Sequence, residues 1–266
     1  MSDPFSTVVV NATVGAATKE IMGKSAELGR KWLGDKFAQH QDEVVAKAND
    51  NASDFLNRLA EKVQRIEDEN KLNKAMVESV LADPSYSLFL QKSLLSAAET
   101  SSVTKHDMLA RLVADRTRHT EEDIYSLCSP LAVDAISRST PTQLKMLALQ
   151  HYIFSRRHAA GLSEQDRAEA FFHCVAPFMD AELREQDMLH LMSLSCVCPV
   201  AFPLQAFKYV DSKFGDGEKI WDVLSRYGDM NPFIKVWNAG PLYCYPTSVG
   251  DLVGSVAFTH FHGQGS

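Results

Sequence analysis

The chain has 266 residues, 45% hydrophobic and 23% charged, as in ordinary soluble globular proteins, and its length suggests one large or two modest domains. The net charge of −7 argues against a dedicated nucleic-acid coat or a polybasic membrane binder, because both need an excess of Lys and Arg. Five widely scattered cysteines are typical of a reducing cytosol and not of a disulfide scaffold, so we expect a cytoplasmic protein.

The N-terminus lacks the basic region that opens a secretory signal, and the longest apolar stretches fall short of the roughly 18 residues that span a bilayer. Residues 5–17 are apolar and rich in small side chains, which favours a docking strand or a first helical turn. A membrane-inserting segment, and with it a membrane-acting effector, is the alternative interpretation. We expect no stable membrane insertion.

Residues 37–81 predict a long helix, with a bend or break at 67–71, where polar residues fill its apolar stripe. Positions 44, 48, 52, 55, 59, 63 and 66 are apolar, at an average of about 3.67 residues per turn. This stripe either packs on the following helices of its own chain or pairs with another chain as a coiled coil. The candidate oligomer interface is formed by Val44, Ala48, Phe55, Leu59, Val63 and Ile66.

Capped helix starts follow the long helix. Thr104, Thr120 and Thr140 each precede an apolar helical segment, and Pro141 occupies the first helical position after Thr140. Four or five such helices with short connections indicate a bundle. The predicted fold is therefore mainly α, with a helical stalk or oligomerisation region over 1–83, a central bundle over 84–160 and a C-terminal module over 161–266.

A β signal appears late in the chain. Residues 233–238 and 241–245 flank Ala239-Gly240 and predict a short β-hairpin. A short helix, this hairpin and a closing helix that begins at Thr247 or Ser248 resemble a winged-helix module.

In a DNA-binding version of this module, the recognition helix would be residues 218–226. The candidate nucleic-acid contacts are Lys219, Arg226 and Lys235. The helix carries no net charge, however, and phosphate contacts need uncompensated Lys and Arg. A protein-interaction or structural role for the module is therefore preferred over DNA binding.

Several short motifs carry a resemblance to a known family. They are Phe89-Leu-Gln-Lys-Ser-Leu-Leu, Asp107-Met-Leu-Ala-Arg-Leu-Val-Ala, Leu131-Ala-Val-Asp-Ala-Ile and Ser139-Thr-Pro-Thr-Gln-Leu. Across residues 70–260 the chain resembles uncharacterised bacterial helical proteins of the Abi-alpha type, some of which are associated with defence against phage. The resemblance implies a role in an anti-phage system, and it brings no catalytic residues.

We assign no catalytic residue, cofactor or metal, because no glycine-rich phosphate loop, G-x-S-x-G elbow or H-E-x-x-H motif occurs. Cys196 and Cys198, with His190 upstream and His173-Cys174 further back, are considered as ligands of one ion. Zinc sites usually use a C-x2-C spacing, so buried structural cysteines are preferred.

The densest basic cluster is Arg156, Arg157 and His158, at a predicted helix end. It either complements the helix dipole or forms a candidate contact for an anion or an acidic partner. From all these patterns we expect a non-enzymatic interaction or regulatory protein that associates with itself or with another protein. A DNA-binding regulator and a membrane-acting effector are the alternatives.

Overall fold

The computed structural model describes residues 15–69, 71–120, 122–156, 163–202, 205, 208, 210 and 220–263. Within these residues the chain is mainly α-helical, as predicted, with one short antiparallel pair of strands. It divides into two compact units, Met1–Ser137 and Arg138–Ser266. The boundary between them falls inside the predicted central bundle, residues 84–160.

Unit 1 is organised around its second helix, α2, which packs against α1, α4 and α5. The predicted interruption near 67–71 is confirmed, because α2 ends at Asp68 and the next helix begins at Lys74. The helices of unit 1 in its described part are α1 (Ala16–Phe37), α2 (Asp42–Asp68), α3 (Lys74–Ala82), α4 (Pro84–Ala98), α5 (Val103–Arg116) and α6 (Ile124–Arg138), whose last residue is the first of unit 2.

The first helix begins against the end of α2. The carboxylate of Glu67 accepts hydrogen bonds from the backbone N–H groups of Ala17 and Thr18, at 3.0 and 2.9 Å, and from the Thr18 hydroxyl at 2.7 Å. Glu67 thus satisfies N–H groups that the first turn of a helix leaves without partners. A Cβ at Gly15 would collide with the same carboxylate, so a larger residue there would displace the Glu67 side chain.

Unit 2 contains a second set of helices and the strand pair. In its described part these are α7 (Pro141–Ser155), α8 (Glu164–Val175), α9 (Glu185–Ser193), β1 (Val197–Pro199), α10 (Ile220–Tyr227), α11 (Asn231–Ala239), β2 (Cys244–Pro246) and α12 (Ser248–Gly263). The predicted cap of α7 is confirmed, because Thr140 and Gln143 form a reciprocal capping box.

The core of unit 2 is the close pairing of α7 with α12. A Cβ at Gly254 would collide with the backbone carbonyl of Leu147, so the two helices approach more closely than any larger residue permits. Tyr152 of α7 stacks on Phe258 of α12, with ring centroids 5.6 Å apart. Thr247 caps α12 as predicted, since its hydroxyl oxygen accepts a hydrogen bond from the Gly250 N–H at 3.1 Å.

The predicted β-hairpin is wrong. Its first strand, 233–238, belongs to α11, where the buried residues Phe233, Val236 and Trp237 follow a helical spacing of three and four. The second strand is shifted to β2, and β2 pairs with β1, 47 residues earlier at Cys198↔Tyr245. The winged-helix interpretation depended on the hairpin and loses its basis.

Candidate functional site

The predicted oligomer interface on α2 is mostly buried within unit 1. Ala48, Phe55, Leu59, Val63 and Ile66 are buried, and only Val44 of the six is exposed. The helices α1, α4 and α5 pack on α2 and cover its apolar stripe. Charged residues occupy the other faces of α2. The stripe therefore packs on helices of its own chain, the alternative considered beside pairing with another chain.

The buried histidine of α5 ties three helices together. His106 Nδ1 lies 2.7 Å from a carboxylate oxygen of Asp54 on α2, and Nε2 lies 2.7 Å from the Thr100 carbonyl and 3.0 Å from that of Ala97. Burial alone would raise the pKa of Asp54, but hydrogen bonds from Arg58 and His106 hold it below its usual value. Because both ring nitrogens face protein oxygens, His106 has a structural role.

The predicted basic cluster is described only at Arg156, since Arg157 and His158 lie outside the described residues. The Arg156 guanidinium lies over the Phe258 ring, 4.3 Å from its centroid, and its Nε donates to His151 Nε2 at 3.4 Å. Arg156 therefore takes part in packing at the end of α7.

A serine, a histidine and an aspartate meet near Arg156, but their order is not that of a hydrolase triad. Asp251 Oδ1 lies 2.8 Å from His151 Nδ1 and accepts from the Ser155 hydroxyl at 2.5 Å. In a triad the serine would lie at His151 Nε2. That position is taken by Arg156, and the Ser155 hydroxyl donates to Asp251 instead of to the histidine.

The cysteines of unit 2 are hydrogen-bonded in the protein interior or along the strand pair. Burial raises the pKa of Cys196 to about 12 and that of Cys244 to about 11, so neither is a thiolate nucleophile at neutral pH. Cys198 donates to the Tyr245 carbonyl at 3.6 Å, and His190 faces Gln143. No group of three potential metal ligands occurs among the residues that the structure describes.

Within the described residues, the candidate nucleic-acid contacts do not form a continuous basic surface. Lys219 lies outside the described residues, and Lys235 is exposed on α11. Arg226 on α10 forms an ion pair with Glu164 of α8 at 3.3 Å, which offsets its charge.

An exposed apolar surface lies on the outer side of α6. Ile124, Leu127 and Leu131 follow a spacing of three and four, and they are 63%, 62% and 50% exposed. Leu88 of α4, 66% exposed, lies one turn before Lys92, which bonds to Pro130 and Asp134 of α6. We call Leu88, Ile124, Leu127 and Leu131 the α6 face.

A cavity of about 530 Å³ borders the α6 face. Leu127 and Pro130 form its apolar wall, and Arg116 is almost fully buried in it. The hydroxyl of Ser126 lines the cavity and has no hydrogen-bond partner within the part of the chain that the structure describes. The surface thus combines exposed apolar side chains with a depression beside them, the two features of a docking surface with an anchor pocket.

Arg116 holds the base of this cavity in place. Its guanidinium donates to Asp83 Oδ2 at 3.0 Å, to the Ser85 hydroxyl at 3.1 Å and to the His119 carbonyl at 2.6 Å. It also lines a larger cavity, of about 710 Å³, between α3 and the residues after α5. Its donors join the start of α4 to the turn that follows α5, so the depression is built on a fixed frame.

The α6 face could not be singled out from the sequence, because α6 carries large apolar residues on its outer side as well as its inner side. Cys128, Ala132 and Ile136 are buried on the inner side, while Leu127 and Leu131 are exposed on the outer side. The serines of α6 do not mark its outer side either, since Ser126 and Ser129 are buried among the inner residues.

Comparison with known proteins gives a family but no activity. A protein-family model with the description “:-like” matches residues 23–210, more than half of the chain. The chain belongs to that family. Its description states no activity, ligand or partner, and no curated protein and no solved structure matches the chain. The resemblance to Abi-alpha-type proteins stays a prediction.

Proposed function

We propose that this protein is a non-enzymatic interaction protein that docks on another protein surface through the α6 face. The observation that carries the proposal is the exposure of three large apolar side chains on one side of α6, with a fourth, Leu88, on the helix that Lys92 joins to α6. Water-exposed apolar patches of this kind are unfavourable unless a partner covers them, and they mark interaction sites. The neighbouring cavity offers room for one inserted side chain.

The chemistry of the described clusters supports an interaction role over catalysis. The serine, histidine and aspartate of unit 2 lack the order of a triad, and the buried thiols of Cys196 and Cys244 stay protonated at neutral pH. Neither cluster lies in the cavity beside α6.

The alternative functions receive less support. A DNA-binding regulator required the hairpin that α11 replaces, and Arg226 is already paired with Glu164. A membrane effector rested on the N-terminal segment, of which residues 1–14 lie outside the described part. None of the helices in the described residues combines the length and apolar content that a bilayer-crossing segment needs.

A photo-crosslinking amino acid at position 127 tests the proposal in cells that express the protein. We expect a covalent product of defined mass from position 127, and its loss when Leu131→Glu is added. The matched control places the crosslinker at Lys31, an exposed position on α1. Equal products from positions 127 and 31, or none from either, would remove the docking function.

A role in defence against phage is a further proposal, and it rests on the sequence resemblance alone. Plaque counts on bacteria with and without the gene test it, and we expect fewer plaques with the gene. Equal counts across a panel of phages would contradict it.

A further inference from the structure

The α6 face carries a charge of opposite sign near each of its ends. Arg138, the last residue of α6, follows Leu131 by seven residues, so it lies on the same exposed side of the helix. Glu122 stands before the first turn of α6 and lines the same cavity as Leu127. The apolar face is therefore bounded by an acidic group at one end and a basic group at the other.

Neither of these two charged side chains has an ion-pair partner within the part of the chain that the structure describes. Glu122 and Arg138 are exposed and form no ion pair with a described residue. Two neighbouring basic side chains do form ion pairs. Lys92 pairs with Asp134 at 2.6 Å, and Arg116 pairs with Asp83 at 3.0 Å. The rise along α6 from Ile124 to Arg138 is about 21 Å, and Glu122 precedes the helix, so the two charges are too far apart to pair within one chain.

A surface with this arrangement is complementary to itself when turned around. In an antiparallel pair of α6 helices, Glu122 of each copy faces Arg138 of the other, which gives two equivalent ion pairs. A parallel pair would place like charges together. Twofold interfaces require this self-complementarity, because the same patch serves both subunits.

We infer that the protein covering the α6 face is a second copy of this chain, with the two α6 helices antiparallel. This inference rests on the proposed docking function and names its partner. With the twofold axis near Pro130, Leu127 of one copy lies within about 3 Å, along the axis, of Leu131 of the other. Apolar side chains then meet apolar side chains, and each copy presents leucines to its partner's cavity.

A charge-exchange experiment on the purified full chain tests both the partner and the orientation. The dimer dissociation constant is measured by sedimentation for the wild type, Glu122→Arg, Arg138→Glu and the double variant. Each single exchange places like charges opposite each other at two sites, so we expect about 3- to 30-fold weaker dimers. The double variant restores opposite charges and is expected to return close to the wild-type value.

The outcomes separate this inference from the function on which it rests. A wild type that stays monomeric at all concentrations overturns the second copy as partner, while a product with a different protein at position 127 still supports docking. A wild-type dimer whose double variant is as weak as the single variants overturns the antiparallel arrangement. At concentrations where all four proteins are monomeric, their free energies of unfolding should agree to within about 1 kcal/mol, since both charges are exposed and act only on the ends of α6.

Discussion

Glu67 shows at the scale of one residue how a side chain can start a helix to which it does not belong. The N-cap position of α1 is Gly15, which offers no side-chain acceptor, and the carboxylate of Glu67 in α2 takes its place. Burial alone would raise the pKa of Glu67, but hydrogen bonds from Thr18 and Ala17 hold it below its usual value. The charged form is therefore favoured by the fold.

Replacing this charge should cost stability in a pH-dependent way. We expect Glu67→Gln to lower the free energy of unfolding by about 1 kcal/mol at neutral pH, because a charged acceptor at a helix start is lost. A carboxyl whose pKa is lowered by folding stabilises the fold above its unfolded pKa, and this contribution disappears as the pH falls through the folded pKa. The difference between wild type and variant should thus shrink below about pH 4.

Urea unfolding at several pH values measures this difference. Glu61→Gln, at an exposed position on the same helix, is the matched control and should stay within about 0.5 kcal/mol of the wild type. A constant difference between Glu67→Gln and wild type at all pH values would show that the charge does not cap α1.

At the scale of elements, α2 and α6 show why one apolar stripe is readable from sequence and another is not. Charges on the other faces of α2 define its stripe, so its helical form and its break were predicted. The exposure of the α6 face was not predicted, because large apolar residues lie on both sides of α6 and which side packs inward depends on its neighbours. The same limit explains α11, where a run from Phe233 to Asn238 is too short to separate a strand from a helix.

Because the α2 stripe is buried, truncating one of its side chains should lower the free energy of unfolding. Leu59→Ala should lower the free energy of unfolding by about 2–5 kcal/mol, because it leaves a cavity among α1, α4 and α5. Val44→Ala, at the exposed end of the same stripe, should change it by no more than about 0.5 kcal/mol. Chemical unfolding measures both, and dissociation of an assembly by Leu59→Ala without loss of stability would contradict the core role.

Glycines in two helices should respond in opposite directions to the same substitution. Gly254→Ala should destabilise the protein by about 1–3 kcal/mol, because the new methyl group collides with the Leu147 carbonyl across the α7–α12 contact. Gly23→Ala should stabilise it by up to about 1 kcal/mol, since nothing lies near that position in α1 and alanine favours the helix. Thermal unfolding tests the pair, and equal shifts of the two melting temperatures would contradict the close helix approach.

For the whole molecule, the placement of the apolar surfaces decides the functional interpretation. The mainly α fold followed from the helical periodicity and the caps. The interaction surface did not, since the predicted one on α2 is mostly buried and the exposed one lies on α6. Local spacing determines which residues share a helix face, whereas long-range packing determines which of two apolar faces stays uncovered.

We infer that the α6 face joins two copies of this chain. Molar mass by light scattering, measured across concentrations for the wild type and Leu131→Glu, tests it most directly. Val103→Glu is the matched control, because Val103 is 52% exposed but lies outside the α6 face. We expect the wild type and Val103→Glu to approach twice the chain mass of 29.5 kDa with rising concentration, and Leu131→Glu to stay at 29.5 kDa. Equal masses for all three proteins at every concentration would contradict it.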